Sequence, residues 1–307
     1  MHIENTAQVA VLLATYNGAK YLSDFLDSLC HQSFKDFCVY VRDDGSTDET
    51  LEIIQSYASK LNLHLLRSSA RLGPAKGFLQ IMREADTRHS CYLLADQDDF
   101  WYEDKIQRAF LALADQRDKV LLYCSRLEYV DKDLQHIGFS RTPRVFTFEN
   151  ALVENVATGC TVGISQRLCA EVVASEPFDV IMHDWWLYMY CTAFGQIIYD
   201  PNASIKYRQH SNNAIGAATS RWDDFYRRWV RFRKREGGVH RLSLQSKAFL
   251  ECYRERLRPE YCEVIERLTK GTHSLVGRIG LAMRPPVYRQ RRMDTLLLRC
   301  LFLLGRY

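Results

Sequence analysis

The sequence has no pair of cysteines spaced to form a zinc or redox motif. Its ten cysteines are scattered, and the shortest separation is the eight residues from Cys30 to Cys38. This spacing excludes CxxC sites and favours a reduced, cytoplasmic chain. Proline and glycine are also scarce, at 7 and 15 of 307 residues, which excludes collagen-like and disordered chains. The length allows one large domain or two ordinary ones with a full core.

Long hydrophobic runs are absent as well. The apolar run from Val9 to Ala14 is short and follows polar residues, and the run from Leu296 to Leu304 is interrupted by Arg299. A membrane-spanning helix needs about 20 consecutive apolar residues. The sequence therefore predicts neither a spanning helix nor a signal peptide.

Charge is unevenly distributed along the chain. Residues 221–307 hold 18 Arg and 3 Lys against 9 acidic residues, a net charge of +12, whereas residues 1–220 carry −8. We predict two regions, a body over 1–220 and a basic helical region over 221–307. The acidic body indicates a site for a metal or polar ligand, and the basic region indicates an anionic partner.

Short apolar runs alternate with amphipathic segments through the first 100 residues. This alternation predicts an α/β fold with a mainly parallel sheet covered by helices on both faces. Ligands of such sheets bind beyond the carboxyl ends of the strands. The predicted strands are Val9–Thr15, Phe37–Arg42, Leu63–Arg67 and Cys91–Ala95, and the predicted helices are Tyr21–Leu29, Glu49–Ala58 and Ala75–Ala85. Further on, we predict a hairpin near Asp131, a strand Thr161–Ser165, and helices Trp185–Phe194, Trp222–Arg235, Ser243–Arg256, Tyr261–Leu268 and Leu296–Leu304.

Two acidic turns follow predicted strands. Asp96, Asp98 and Asp99 lie within four residues, and like charges this close favour a hard cation such as Mg²⁺ or Mn²⁺. The alternative is a solvated turn in which Asp99 caps a helix. In the other turn, Asp43 and Asp44 precede Gly-Ser-Thr, and their carboxylates could accept hydrogen bonds from a base or a sugar hydroxyl. A phosphatase with an aspartyl nucleophile is the rival interpretation of that turn.

Six motifs in order resemble the family 2 glycosyltransferases, inverting enzymes of the GT-A fold. The last three resemble the bacterial branch that includes rhamnosyltransferases and other polysaccharide-building enzymes. The likeness extends over about residues 8 to 216. The motifs are Ala14–Gly18, Asp43–Asp48, Asp96–Trp101, Thr158–Thr161, His183–Trp186, and Tyr207–His210 with Asn213 and Gly216.

The resemblance implies a role for each matching residue. Asp44 corresponds to the residue that reads the nucleobase, and Asp96 and Asp98 correspond to the DxD pair, with Asp98 as the direct ligand of Mg²⁺ or Mn²⁺. Asp184 takes the place of the catalytic base and His210 that of a ligand to the metal or the diphosphate. The remaining positions are Thr15, Asn17 and Asp43 beside the nucleotide, and Gly159, Cys160, Trp185 and Trp186 beside the acceptor.

General chemistry supports these roles, and structural alternatives stay open. Displacing a nucleoside diphosphate needs charge stabilisation on the leaving group and a base for the acceptor hydroxyl. Asp184 could instead cap a helix, His210 could be a strand histidine, and both tryptophans could pack in the core. One departure is His183, which stands where the family often has Glu.

The basic region contains one distinctive pattern. Trp222, Phe225, Tyr226, Trp229 and Phe232 recur at helical spacing among five arginines. A basic amphipathic helix is typical of a membrane interface, and the alternative is an aromatic face packed on the body. Nucleic acid is not expected as a partner, because no recognised binding module accompanies the charge.

We therefore expect a metal-dependent, inverting glycosyltransferase at the cytoplasmic face of the membrane. Its donor would be dTDP-rhamnose or a UDP-sugar such as UDP-galactose, UDP-glucose or a UDP-N-acetylhexosamine. Its acceptor would be a saccharide, lipid-linked, in O-antigen or capsule synthesis. The alternatives are a sugar-phosphate nucleotidyltransferase and a non-enzymatic nucleotide-sugar binding module.

Overall fold

The computed structural model describes residues 7–66, 70–116, 118–209 and 241–307. These residues form nine strands and eleven α-helices. The strands are β1 Val9–Thr15, β2 Phe37–Asp43, β3 Leu63–Leu66, β4 Cys91–Asp96, β5 Phe100–Trp101, β6 Leu121–Val130, β7 His136–Phe139, β8 Gly163–Ser165 and β9 Gln196–Arg208. The helices are α1 Ala19–Cys30, α2 Thr50–Ser56, α3 Gly73–Glu84, α4 Lys105–Leu113, α5 Phe148–Ala151, α6 Gln166–Ala174, α7 His183–Phe194, α8 Arg241–Tyr253, α9 Pro259–Gly271, α10 Leu275–Met283 and α11 Arg292–Leu303.

All nine strands belong to one mixed sheet. Its order is β3-β2-β1-β4-β8-β6-β9-β5, and β7 pairs with β6 outside this path. The first four strands are parallel, β8 is antiparallel to both β4 and β6, and β9 is parallel to β6. The predicted α/β fold with a mainly parallel sheet is thus confirmed.

The parallel strands form where apolar runs are buried on both faces. Every residue of β2 is buried, and β1 is buried except for Ala14. Alternate residues of β1 enter two different cores: Val9, Val11 and Leu13 pack under α1, and Ala10 and Leu12 pack under α3. Burial on both faces explains why these runs show no polar alternation.

The C-terminal helices complete the core on the α3 and α7 side of the sheet. Phe249 of α8 is fully buried against Phe148 and Trp186, and Tyr261 of α9 also stacks on Phe148. Residues 241–307 therefore share one core with the α7 region. The predicted aromatic helix 222–235 and the predicted boundary at residue 220 lie outside the described residues. No helix among the described residues is long and apolar enough to cross a membrane.

Candidate active site

The strand register brings three predicted site residues to one edge of the sheet. Thr15 is the partner of Asp43 across β1 and β2, and Ala14 is the partner of Asp96 across β1 and β4. Thr15 Oγ1 also donates a hydrogen bond of 2.8 Å to Asp43 Oδ1. The acidic turns after β2 and β4 thus flank the end of β1, at the edge where parallel sheets bind ligands.

The Asp43 carboxylate organises the turn that follows β2. Its Oδ2 accepts hydrogen bonds from the backbone N–H groups of Gly45 and Ser46, at 3.0 and 2.7 Å. Its Oδ1 accepts a third from the Ser46 hydroxyl. Gly45 has φ 88°, a left-handed value that glycine adopts without strain. Asp43 therefore has a structural role in shaping this loop, in addition to its predicted place beside the nucleotide.

The neighbouring carboxylate of Asp44 connects β2 to α3. It pairs with Arg42 and accepts backbone N–H groups of Leu72 and Gly73 at 2.8 and 2.7 Å. Although partial burial raises the pKa of Asp44, these hydrogen bonds lower it below its usual value. Asp44 is therefore ionised at neutral pH and faces the segment that begins α3.

Two side chains join the loops that follow β1, β2 and β4. Asn17 has φ 46°; its Oδ1 accepts the Thr47 N–H at 2.8 Å, and its own N–H donates to Ser46 Oγ. Gln97 makes a reciprocal pair with the backbone of Tyr16, at 2.9 and 3.0 Å. Loops tied in this way are held in position before a ligand arrives.

The acidic turn after β4 separates its carboxylates by exposure. Asp96 and Asp98 are partly exposed, whereas Asp99 is fully buried beside the Cys160 thiol. Ligand atoms of Asp96, Asp99 and Cys160 lie within 4.8 Å of one another. Burial raises the pKa of Asp96, and the nearby charges of Asp98 and Asp184 raise it further. A cation would relieve this repulsion.

Arg208 positions the same turn from β9, a role that the motifs alone do not predict. Its backbone N–H donates to Asp99 Oδ1 at 3.2 Å, and its Nε donates to the Asp98 carbonyl at 2.9 Å. The buried guanidinium also reaches Asp24 at 2.7 Å and lies over the Tyr21 ring. The only sequence signal for this role was its place in the Tyr207–His210 motif.

Asp184 projects from the first turn of α7 and is almost fully buried. Its Oδ2 accepts the N–H of Gly159 at 2.9 Å, and its Oδ1 accepts the N–H of Trp185 at 2.7 Å. Burial raises the pKa of Asp184 to about 6, although hydrogen bonds from Trp185, Gly159 and Asn155 act in the opposite direction. A carboxylate with a pKa near the working pH suits general base catalysis.

His183 lies beside this carboxylate and has no hydrogen-bond partner for either ring nitrogen. Its ring stacks on Phe78 with centroids 3.9 Å apart, and burial lowers its pKa to about 3. The imidazole is therefore neutral. A methyl group at Gly159 would come within 3.2 Å of its Nε2, a tight contact that glycine avoids.

The predicted acceptor residues lie in different surroundings. Trp185 is partly exposed and donates from Nε1 to the Ala151 carbonyl at 2.6 Å. Trp186 is fully buried against Phe249 and Tyr253, so its predicted acceptor contact is corrected to a role in the core. The Cys160 side chain is likewise buried under the acidic turn, and the same correction applies to it. His210 lies outside the described residues.

The arrangement places possible metal ligands and a buried carboxylate near the same end of the sheet. Asp96 and Asp98 present oxygen ligands of the kind that Mg²⁺ and Mn²⁺ prefer. Asp184 presents a carboxylate whose charge is close enough to influence Asp96. A divalent cation and a base held on separate elements are the groups that transfer from a diphosphate leaving group requires.

Comparisons with known proteins show the family of the chain. The profile of glycosyl transferase family 2 matches residues 10–166. A dTDP-rhamnosyl transferase of Shigella flexneri, RfbG, is 32% identical over 228 residues, which are 68% of this chain and 75% of that protein. The TarS 1–349 structure from Staphylococcus aureus, in complex with UDP-GlcNAc, matches 98% of this chain and 82% of its own, with a TM-score of 0.59 and 18% identity.

A third match shares the fold at a similar level. The mannosyltransferase PcManGT of Pyrobaculum calidifontis, in complex with GDP-Man and Mn²⁺, matches 99% of this chain and 86% of its own, with a TM-score of 0.56 and 17% identity. The two structural matches show the GT-A fold, and the profile and the Shigella relative show the family. The chain belongs to the family 2 glycosyltransferases.

Proposed function

We propose that this glycosyltransferase transfers a sugar with inversion and that a divalent cation assists the transfer. The observation that supports this most directly is the convergence of Asp184 with the turn that carries Asp96 and Asp98. Gly159, whose N–H holds Asp184, directly precedes Cys160, whose sulfur lies within 4.8 Å of an Asp96 carboxylate oxygen. The charges of Asp98 and Asp184 also raise the pKa of Asp96. Membership in the family argues against the two rivals, a nucleotidyltransferase and a non-enzymatic binding module.

The residues at the end of β4 fit Mg²⁺ or Mn²⁺. Asp98 is the proposed direct ligand and Asp96 its partner toward the donor, because both carboxylates are partly exposed at the sheet edge. Asp99 is turned inward toward Cys160 and Arg208 and is less suited to that role. His210 is proposed as a further ligand on the motif alone. When bound, the cation would neutralise charge on the diphosphate leaving group.

Asp184 is the proposed base for the acceptor hydroxyl. The N–H groups of Gly159 and Trp185 fix its two oxygens, and burial keeps its pKa near 6, so it can accept a proton at neutral pH. Proton removal by a positioned carboxylate contributes about 10²–10⁴-fold to rate. With this carboxylate activating the acceptor hydroxyl, we propose that the acceptor oxygen displaces the diphosphate directly, with inversion, as the family resemblance implies. The partly exposed Trp185 and the backbone of Gly159 are proposed to contact the acceptor.

The donor is proposed to bind across the loops after β1 and β2. Asp44 would read the base, with Thr15, Asn17 and Asp43 beside the nucleotide. The 32% sequence identity to the Shigella dTDP-rhamnosyl transferase favours dTDP-rhamnose as the donor. UDP-galactose, UDP-glucose and UDP-N-acetylhexosamines are the alternatives, and GDP-mannose is added because PcManGT was solved with it.

The acceptor is proposed to be a lipid-linked saccharide of a bacterial surface polysaccharide, such as O-antigen or capsule. The enzyme would then work as a peripheral protein on the cytoplasmic face of the cell membrane. The net charge of +12 over residues 221–307 supports contact with an anionic surface.

A donor screen tests the proposal without knowledge of the acceptor. Thermal unfolding of the purified chain would be followed with each nucleotide-sugar, with and without Mn²⁺. We expect one nucleotide-sugar to raise the unfolding temperature more than the others, and to do so only with Mn²⁺, because a ligand of the folded state stabilises it. Stabilisation by none of them, or equal stabilisation without the cation, would contradict the proposal.

A further inference from the structure

The last two helices leave apolar side chains exposed on the protein surface. In the part of the chain that the structure describes, fourteen large hydrophobic residues are exposed, and eight of them lie on α10, on α11 or directly after α11. The most exposed of the eight are Val276 at 81%, Met283 at 71% and Leu275 at 68% on α10, and Met293 at 68% on α11. The eight residues are Leu275, Val276, Ile279, Met283, Met293, Leu296, Leu303 and Leu304. Single exposed apolar residues are ordinary, but such a concentration marks an interaction surface.

The spacing places these residues on the outer sides of both helices. Met293, Leu296 and Leu303 follow a helical repeat, and they alternate with Leu298, Leu301 and Phe302, which are buried. α11 is thus apolar on its inner and its outer side. α10 repeats the pattern with Leu281 and Ala282 inside. The two helices pack on each other, and Arg278 of α10 lies against Gly305, just after α11. We define their exposed apolar residues as the outer apolar surface.

Positive charge surrounds the outer apolar surface and indicates an anionic partner. Residues 272–307 contain seven arginines and a single acidic residue, Asp294. Arg284, Arg291 and Arg292 are exposed at the ends of the two helices. An apolar surface bordered by cations matches an anionic lipid bilayer, in which acyl chains receive the apolar side chains and headgroups receive the arginines. A protein partner would need a matching apolar face with acidic borders.

We propose that α10 and α11 lie flat on an anionic membrane and bury the outer apolar surface at the headgroup boundary. The helices have nine and twelve residues, about 13 and 18 Å, too short to cross a hydrocarbon core of about 30 Å. This surface would make the membrane contact of the peripheral enzyme in the proposed function, on which the proposal rests. It lies on described residues outside the aromatic segment 222–235.

Vesicle binding tests this surface without a transferase assay. The full chain would be sedimented with vesicles of phosphatidylcholine, alone or mixed with phosphatidylglycerol. We expect binding to the anionic vesicles that weakens in high salt, because salt screens the arginines. The V276S/M283S/M293S variant should bind at least about tenfold more weakly, because three apolar side chains no longer enter the bilayer. The R284Q/R291Q/R292Q variant should lose the preference for anionic lipid.

A matched control uses exposed apolar residues elsewhere. L111S/I137S/F178S removes side chains that are 68%, 56% and 46% exposed on other parts of the molecule, and it should bind vesicles like the unchanged chain. Donor-induced thermal stabilisation should be the same in all variants, so failure of the membrane inference is separable from failure of the proposed function. Equal vesicle binding by V276S/M283S/M293S and the control would overturn the proposal. A dimer of the unchanged chain that this variant loses would overturn it too, because a second copy would then cover the surface.

Discussion

Asp184 and His183 are neighbours on α7, but burial affects their protonation in opposite directions. Burial raises the pKa of Asp184 to about 6 and lowers that of His183 to about 3. Between about pH 3 and neutral pH, the His183 imidazole becomes and stays neutral, and the Asp184 carboxyl loses its proton near pH 6. The carboxylate is also the one that two backbone N–H groups hold in place. His183 therefore packs beside Asp184, and Asp184 stays the proposed base.

This difference predicts the acidic limb of the pH profile. A base must be deprotonated, so kcat/KM of transfer should be constant near neutral pH and fall about tenfold per pH unit below about 6. The residual activity of Asp184→Asn should lack this limb, because the variant has no group to protonate there. Initial rates at saturating Mn²⁺ measure it. An unchanged limb in Asp184→Asn would assign the titration to another residue.

The proposed metal ligation predicts an effect of a second residue, Asp98. Asp98→Asn should abolish the part of donor affinity that depends on Mn²⁺, because an amide is a weaker ligand than a carboxylate. The fold should persist, since Asp98 lies on a partly exposed turn. Calorimetric titration of donor with and without Mn²⁺ measures this. Asp133→Asn, on an exposed turn, is the matched control and should bind as the unchanged chain does. Unchanged Mn²⁺-dependent affinity in Asp98→Asn would remove Asp98 from the metal site.

Among the elements, the short 3₁₀-helix Gly159–Thr161 connects Asp184, the proposed base, to the core. The Gly159 N–H holds Asp184, and the absence of a side chain lets His183 approach. A Cβ at this position would lie 3.2 Å from His183 Nε2 and 3.5 Å from Asp184 Oδ2. The position of the Asp184 carboxylate therefore depends on a glycine in a neighbouring element.

Gly159→Ala should displace the base by a fraction of an ångström. We expect kcat to fall about tenfold while KM for the donor is unchanged, because the donor loops lie on other strands. Gly138→Ala is the control, since a Cβ there meets nothing within 4 Å. Steady-state kinetics of both variants give kcat and the KM for the donor. Equal kcat in Gly159→Ala and Gly138→Ala would show that the site accommodates the methyl group.

Elements whose pattern is local could be predicted from the sequence, and others could not. The strand Val9–Thr15 has the predicted bounds because both of its faces are buried and its apolar run is continuous. β9 was missed because Asp200, Pro201 and Asn202 are typical of a turn, while the structure passes them through an irregularity in the register with β6. α10 was missed because two glycines interrupt its pattern.

The site residues likewise differ in how well the sequence predicts their positions. The positions of Thr15, Asp43 and Asp96 at strand ends followed from the alternation of strands and helices. The core position of Trp186 did not, because it depends on α8, more than fifty residues later in the chain, packing over α7. The clamp of Arg208 on the Asp98 segment depends likewise on the pairing of β9 with β5.

For the whole molecule, the C-terminal helices share one hydrophobic core with the sheet and α7. Phe249 and Tyr253 cover Trp186 on the helix whose first turn carries the proposed base. Truncation after Ser220 removes both residues and would expose this core. We therefore expect the truncated chain to be insoluble, and point variants are the better test of membrane contact.

The Phe249→Ala substitution measures how much the packing of α8 on Trp186 stabilises the fold. We expect the free energy of unfolding to fall by about 3–5 kcal/mol, because a fully buried ring among three aromatic neighbours is lost. Phe178→Ala, 46% exposed, should cost less than about 1 kcal/mol. Urea unfolding of the two variants compares them. Similar losses would mean that residues 241–307 contribute little to the stability of the body.

The most direct test of the account is a comparison of donor binding and sugar transfer in Asp184→Asn. The substitution keeps the size of the side chain and removes the proton acceptor. We predict that the variant binds the nucleotide-sugar with the affinity of the unchanged chain and transfers the sugar at least about 10²-fold more slowly. Transfer at the unchanged rate would exclude Asp184 as the base and contradict the mechanism.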